Sequence, residues 1–314
     1  MVECELPKLD VAGSNPVARS LARSPGVAVF GGRSDLDGKE PAVTDWTYIL
    51  EPAPLKGSVN MAVDEALFRG LGAEPRTCLR FYAWERPTVS LGCSQSAEDA
   101  VDIEACRELG VDIVRRITGG KLVLHYQELT YAVCSSDTGL FSATLQSSYR
   151  LISQGFVRGL ERLGLDAVLA AATPHFYKRG LHPCFASPAA DEIECRGRKI
   201  VGSAQKRVGA AFLQHGSVPL RDTTDLLRAV SRSAPGGPAP GPSGLDGILG
   251  RAVAFEELAG HLAAGLADFF QVRLAPASLS ASEKAEADRI RRERYDNDDW
   301  TFRKVEPPRL FFPG

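Results

Sequence analysis

No stretch of this 314-residue chain stays apolar for the ~20 residues that a helix needs to cross a bilayer, and no signal-type apolar segment stands near Met1. Charge bias is missing too. The 37 Lys and Arg against 39 Asp and Glu give a net charge of −2, which argues against the basic balance of a general nucleic-acid binder. A cytoplasmic protein with neither a membrane nor a nucleic-acid partner is predicted. Cysteine pairing is the third absence: the seven cysteines at positions 4, 78, 93, 106, 134, 184 and 195 are odd in number, scattered and free of any C-x-x-C pair. That excludes a disulfide framework and a zinc knuckle, and no metal and no cofactor are predicted. No internal repeat is present either.

What is there divides unevenly along the chain. The first forty or so residues are rich in Ser, Gly, Pro and Arg and poor in periodic apolar positions, too little to bury against the entropy of ordering. Codons for Val11-Ala12-Gly13-Ser14-Asn15-Pro16-Val17 can spell GGTTCGAATCC, the T-arm sequence of a transfer RNA gene. Residues 1–42 are therefore expected to be a start placed too far upstream, with the true one at a valine codon such as Val27 or Val43, or else a disordered arm. Residues 43–302 are expected to form a single catalytic domain, interrupted by a disordered loop at 233–244 that holds four prolines and four glycines, and followed by a tail at 303–314.

Within that domain, strands are predicted at Thr47 to Leu50, Thr77 to Trp84, Thr88 to Leu91, Asp112 to Thr118, Leu122 to His125, Glu128 to Val133, Glu192 to Cys195, Lys199 to Lys206 and Ala211 to Pro219. Helices are predicted after an N-cap at Ser58, at Val101 to Leu109, at Ser142 to Leu163, through Phe255 to Phe269, and at Glu283 to Tyr295 with its charges solvated. Strands interspersed with a few helices, without regular βαβ alternation, predict an α+β fold of mixed or antiparallel sheets flanked by helices.

Two segments carry the chemistry. In RRITGGKLVLHYQELTY, Arg115 to Tyr131, two adjacent glycines stand between strand-like runs, where a missing Cβ lets backbone N–H groups approach a phosphate, a carbonyl or an acyl chain. In PCFASPAADEIECRGRKIVGSAQKRVGAAFLQHGS, Pro183 to Ser217, Cys184 precedes Lys199 by fifteen residues. Most of the other cysteines lie in or beside apolar patterns and read as small core residues. Cys184 differs, because Pro183 and Pro188 bracket it in a loop-like stretch where a thiol is reachable. A thiol nucleophile and a cationic clamp for an acyl carbonyl can be built from Cys184 and Lys199. Lys199 could equally be a hairpin lysine with its amine in water, and Cys184 a buried loop cysteine. His182 shares a face with Cys184, but that spacing rarely yields a hydrogen-bonded dyad.

These segments, with Asn60-Met61-Ala62-Val63-Asp64-Glu65-Ala66, Leu79 to Trp84 and Ser90-Leu91-Gly92, resemble the lipoate and biotin protein ligase superfamily over roughly Trp46 to Phe302. The resemblance is greatest to its octanoyltransferase branch of the LipM type. ATP-using lipoate ligases of the family usually carry a third glycine and a His-Asp pair; here Lys121 takes the glycine's place and Tyr126 follows His125. The resemblance implies a biotin/lipoate protein ligase catalytic-domain-like fold. It implies octanoyl transfer from octanoyl-acyl carrier protein to a lysine of a lipoyl domain or glycine cleavage H protein, through a thioester on Cys184 with Lys199 stabilising the oxyanion. Substrate contacts are assigned to Arg116, Thr118, Gly119, Gly120, Lys121, His125, Gly202, Ser203, Ala204, His215 and Gly216. Arg115, Arg116 and Lys121, joined by Lys206 and Arg207, are expected to form a basic rim for an acidic carrier protein, with one of the two arginines entering the site. The alternatives are an ATP-dependent lipoate-protein ligase, an amidotransferase acting between protein lysines, and a non-catalytic lipoyl-domain or acyl-carrier binding protein.

Overall fold

A computed structural model describes residues 44–72, 74–141, 144–170, 191–232 and 244–305. The chain divides into two units, and all of these residues belong to the second, Val43–Gly314. The arm at 1–42, the loop at 233–243, most of the tail and the 171–190 segment with His182 and Cys184 lie outside the described residues.

Eleven strands among the described residues form two sheets. The larger takes β1 (Asp45–Leu55), β2 (Thr77–Trp84), β6 (Glu128–Ser135), β7 (Ala167–Leu169), β8 (Ile193–Cys195), β9 (Arg198–Val208), β10 (Ala211–Pro219) and β11 (Arg273–Pro276) in the order β11-β1-β2-β6-β10-β9-β8-β7. β1 runs parallel to β11 and β2; every other neighbour is antiparallel. The smaller sheet places β3 (Thr88–Leu91) between β4 (Asp112–Arg115) and β5 (Val123–His125). This is the mixed α+β architecture that the strand pattern predicts.

Alternation along β6 and β10 gives the large sheet two apolar faces. Leu129, Tyr131 and Val133 join Phe212 and Val218 on one, under α4 (Leu145–Arg162) and α7 (Phe255–Phe270). Ala132, Cys134 and Leu213 lie on the other, under α1 (Gly57–Arg69). The remaining helices are short: α2 (Ala97–Ala100), α3 (Ile103–Glu108), α5 (Thr224–Val230), α6 (Leu245–Leu249), α8 (Ala281–Ile290) and α9 (Asp298–Thr301), with one π-helical turn at Arg291–Tyr295. No helix among the described residues is long and apolar enough to cross a membrane.

Several local expectations change. α1 starts one residue before Ser58, after Lys56 in extended conformation, and Ser58 does not cap it. The strands on either side of Gly119 and Gly120, β4 and β5, both pair with β3 and not with each other. Gly202-Ser203-Ala204 lies inside β9, paired with β10. The charged carboxy-terminal helix is only half solvated. Ala287, Ile290 and Tyr295 pack on α1, with the Tyr295 hydroxyl donating to buried Glu65 at 2.7 Å. Arg196 and Gly197 join β8 and β9, both with positive φ, the geometry that a two-residue hairpin loop demands.

Candidate active site

A pocket of about 360 Å³ opens where the two sheets meet. Of the eleven binding residues assigned from sequence, Arg116, His125, Gly202, Ser203, Ala204, His215 and Gly216 line it, together with Met61, Tyr82, Val123 and three further Ser or Thr residues, Ser90, Thr130 and Ser217. Thr118 stands behind the wall, its hydroxyl 2.7 Å from His215 Nε2. Among the described residues, Lys199 is not part of this lining.

The wall's polarity is ordered by two carboxylates that the sequence reading did not assign. Asp64, buried on α1, receives Arg80 Nη1 at 2.7 Å on one oxygen, and the Tyr82 hydroxyl at 2.8 Å and His215 Nδ1 at 2.9 Å on the other. Glu128, at the start of β6, receives His125 Nδ1 at 2.6 Å and the hydroxyls of Thr130 and Ser217. A carboxylate only accepts, so each imidazole donates through Nδ1 and presents Nε2 to a hydroxyl: Thr118 for His215, Ser90 at 2.8 Å for His125. Burial lowers the His215 pKa from its ordinary value; Arg116 and His125 add to this, and Asp64 opposes it. The ring is therefore neutral, and the Thr118 hydroxyl donates to it. Trp84 stacks on His125 with centroids 4.1 Å apart and fixes the ring plane.

Both relays end on Arg116. Its Nε donates to Thr118 Oγ1 at 3.1 Å and its Nη1 to Ser90 Oγ and Ser90 O at 3.0 and 2.8 Å, while Nη2 reaches the carbonyls of Gly119 and Lys121, both at 2.8 Å. Those acceptors take all five N–H groups of the guanidinium. Arg116 thus lines the pocket as an internal brace that shapes the Gly119–Lys121 backbone, and not as part of a solvated rim. Glycine is required on both sides of that backbone: a Cβ on Gly92 would sit 2.1 Å from the Gly120 carbonyl oxygen, and Gly120 itself has φ +90°.

The two other arginines expected in the rim also turn away from it. Arg115 points the other way, fully buried, and spends its donors on the carbonyls of Gly92, Gln95, Trp300 and Thr301 at 2.6–3.0 Å. Arg207 turns back over Phe212 and donates to Ser148 on α4 at 2.9 Å. Alternation on a strand put only one of the two adjacent arginines in the site, as expected.

Lys199 is not a hairpin lysine in water. Its side chain is 0% exposed, and Nζ donates to Glu192 Oε1 at 2.7 Å. Along β9 it alternates onto the face of Ser203, whose hydroxyl lies 2.6 Å from that of Tyr131. Burial first pushes the Tyr131 phenol up to about 12; Glu192 adds to this, while Gln214, Ser203 and Lys199 oppose it. Cys78 and Cys106, driven by burial to about 12 and about 11, and Cys134, also driven well up by burial, are protonated core thiols, as their apolar setting predicts. His215 lies inside β10, and His125 ends β5. Asp64, Ser90 and Glu128 were within reach of sequence reasoning. An acidic residue inside the apolar run Met61 to Phe68, or opening the all-buried strand β6, needs a partner to be there at all.

Residues 56–263 match the family described as the lipoyl protein ligase A/B catalytic domain. Octanoyltransferase LipM of Carboxydothermus hydrogenoformans is 34% identical over 275 residues, covering 82% of this chain and 98% of that protein. The Kyrpidia tusciae protein of the same name is 39% identical over 275 residues, covering 79% and 96%. In fold the chain is similar to lipoate-protein ligase A bound with ATP, with TM-score 0.73 at 22% identity over 83% of this chain and 100% of that one. A bipartite lipoate protein ligase of Thermoplasma acidophilum gives 0.71 at 21% identity over 86% and 100%. The chain belongs to the lipoyl protein ligase A/B catalytic domain family, and within it to the octanoyltransferases.

Proposed function

We propose that this chain, through a single catalytic domain at 43–302, transfers octanoyl from octanoyl-acyl carrier protein to a lysine of a lipoyl domain or glycine cleavage H protein, by way of a thioester on Cys184. In the first half-reaction the Cys184 sulfur attacks the donor thioester carbonyl, the new C–S bond forms, and the carrier leaves as its thiol. In the second, the acceptor lysine amine attacks the Cys184 thioester, the amide forms, and the amine's surplus proton ends on the departing sulfur. Both steps pass through an oxyanion, for which Lys199 is the proposed donor.

The observation that carries this reading is the burial of Lys199. A cationic side chain taken wholly out of water costs several kcal/mol unless its charge is used or compensated, so it is a poor candidate for surface decoration. The ATP-dependent ligase reading is less favoured, because the five N–H groups of Arg116 already have protein acceptors and offer nothing to an adenylate phosphate. Mixing the chain with octanoyl-acyl carrier protein and an apo lipoyl domain decides between them. Octanoylation of the domain without ATP, abolished by Cys184→Ser, is expected. Modification that needs ATP and free octanoate, and survives Cys184→Ser, would establish the ligase.

A further inference from the structure

Glu192 enters none of the chemistry above, yet its carboxylate accepts from the buried Lys199 ammonium. Its own placement is rigid. The Glu192 carbonyl accepts from Ala170 N at 2.8 Å and Asp191 N donates to the Ala170 carbonyl at 3.1 Å, which ties this segment to the end of β7. Asp191, at φ +66°, is held in turn by Arg150 and Gln146 of α4. The carboxylate therefore reaches Lys199 from a fixed backbone and crosses 2.7 Å to it, with 6% of its side chain exposed.

Burial penalises a charged lysine, and a carboxylate in contact restores the charged form. Tyr131 on β6, protonated well above neutral pH, and Glu194 on β8, the register partner of Lys199, also stand near it. Glu194 is only partly buried. Glu192 is in direct contact with the ammonium.

Resting on the reading that Lys199 stabilises the oxyanion, we propose that Glu192 is a positioning residue that keeps the Lys199 ammonium charged and aimed throughout the catalytic cycle. A thioester carbonyl becoming an oxyanion gains from a cation fixed in place, and gains much less from a neutral amine. The carboxylate is needed because the site that makes the cation effective also tends to discharge it.

The test is the pH profile of acyl-enzyme formation in single turnover, corrected for spontaneous thioester hydrolysis. Wild type should rise with pH as the nucleophilic thiol ionises and then level off. Glu192→Gln keeps the shape and a hydrogen-bond acceptor but removes the charge. Its profile should acquire a falling alkaline limb at least one pH unit below any in wild type, with a rate loss of about 10-fold or more at pH 9. A folded Glu192→Gln protein with the wild-type profile, or with a loss equal at every pH, overturns the proposal. If that variant does not fold, Glu192→Asp decides. Retained charge at shorter reach should slow the reaction without moving the limb, and either a moved limb or an undiminished rate contradicts the assignment. Failure of the underlying reading shows separately: Lys199→Ala should slow both half-reactions by roughly 10²- to 10³-fold, and intact rates there remove Lys199 itself from the mechanism.

Discussion

Arg115 and Arg116 are adjacent in sequence and equally buried, yet the regions they serve are built on different terms. Every acceptor of Arg115 is a main-chain carbonyl, and the bond is returned: Trp300 Nε1 donates to the Arg115 carbonyl at 2.7 Å. This staple joins the loop after β3 to α9 without any titratable partner. Arg116 divides its donors between carbonyls and two hydroxyls, each set by an imidazole that is itself set by a carboxylate. One arginine holds a fold and is indifferent to the side chains it binds; the other holds a pocket and depends on every member of a network. A basic pair in a sequence therefore says little about surface charge until the strand's alternation has assigned each member a side.

Removing Arg115 should give the largest effect. Arg115→Met strands several buried carbonyls, each worth about 1–3 kcal/mol, so a stability loss above about 3 kcal/mol is expected. Urea unfolding measures it, and the loss should be the same at pH 6 and pH 8. Arg116→Lys keeps a charge but not the fork, so Gly119–Lys121 loses a brace. We expect octanoyl transfer to fall about 10- to 100-fold, the cost of a small misplacement, with a stability loss smaller than that of Arg115→Met. A reversed pattern, with Arg115→Met impairing turnover in a protein of normal stability, would erase the distinction.

Acid sharpens the contrast at smaller amplitude. His215 has its pKa lowered in the fold, chiefly by burial. Below the ordinary histidine value the unfolded chain then binds more protons than the folded one, so this contribution is intact above about pH 6.5 and is lost as pH falls toward the folded value. The slope is at most about 1.4 kcal/mol per pH unit. Tm measured from pH 7.5 to 5.5 should fall more steeply in wild type than in His215→Asn; parallel curves would show that the ring is not held neutral.

The coarse fold was legible because its signals are local. Val, Thr and aromatic runs bounded by turn residues marked β2, β3 and β10 with their correct ends, and apolar spacing marked α7. Pairing was less legible, since nothing within Arg115 to Tyr131 says that β3 would insert between β4 and β5. Seven of the thirteen lining residues were assigned from the two motifs, while the carboxylates that order the wall were passed over. Asp64 and Glu128 act through partners far away in sequence, His215 lying 151 residues from Asp64 and Ser217 lying 89 from Glu128. Lys199 could be read as solvated because Glu192, seven residues earlier, shows no periodic link to it; the β8–β9 hairpin brings them together.

The central claim is that the acyl group passes through Cys184, and intact mass spectrometry of the chain mixed with octanoyl-acyl carrier protein alone tests it most directly. Without ATP and without acceptor, the account predicts one added octanoyl mass, mapped to Cys184, removed by hydroxylamine and discharged when an apo lipoyl domain is added. A donor consumed at the full rate with no hydroxylamine-labile adduct on Cys184 would contradict it.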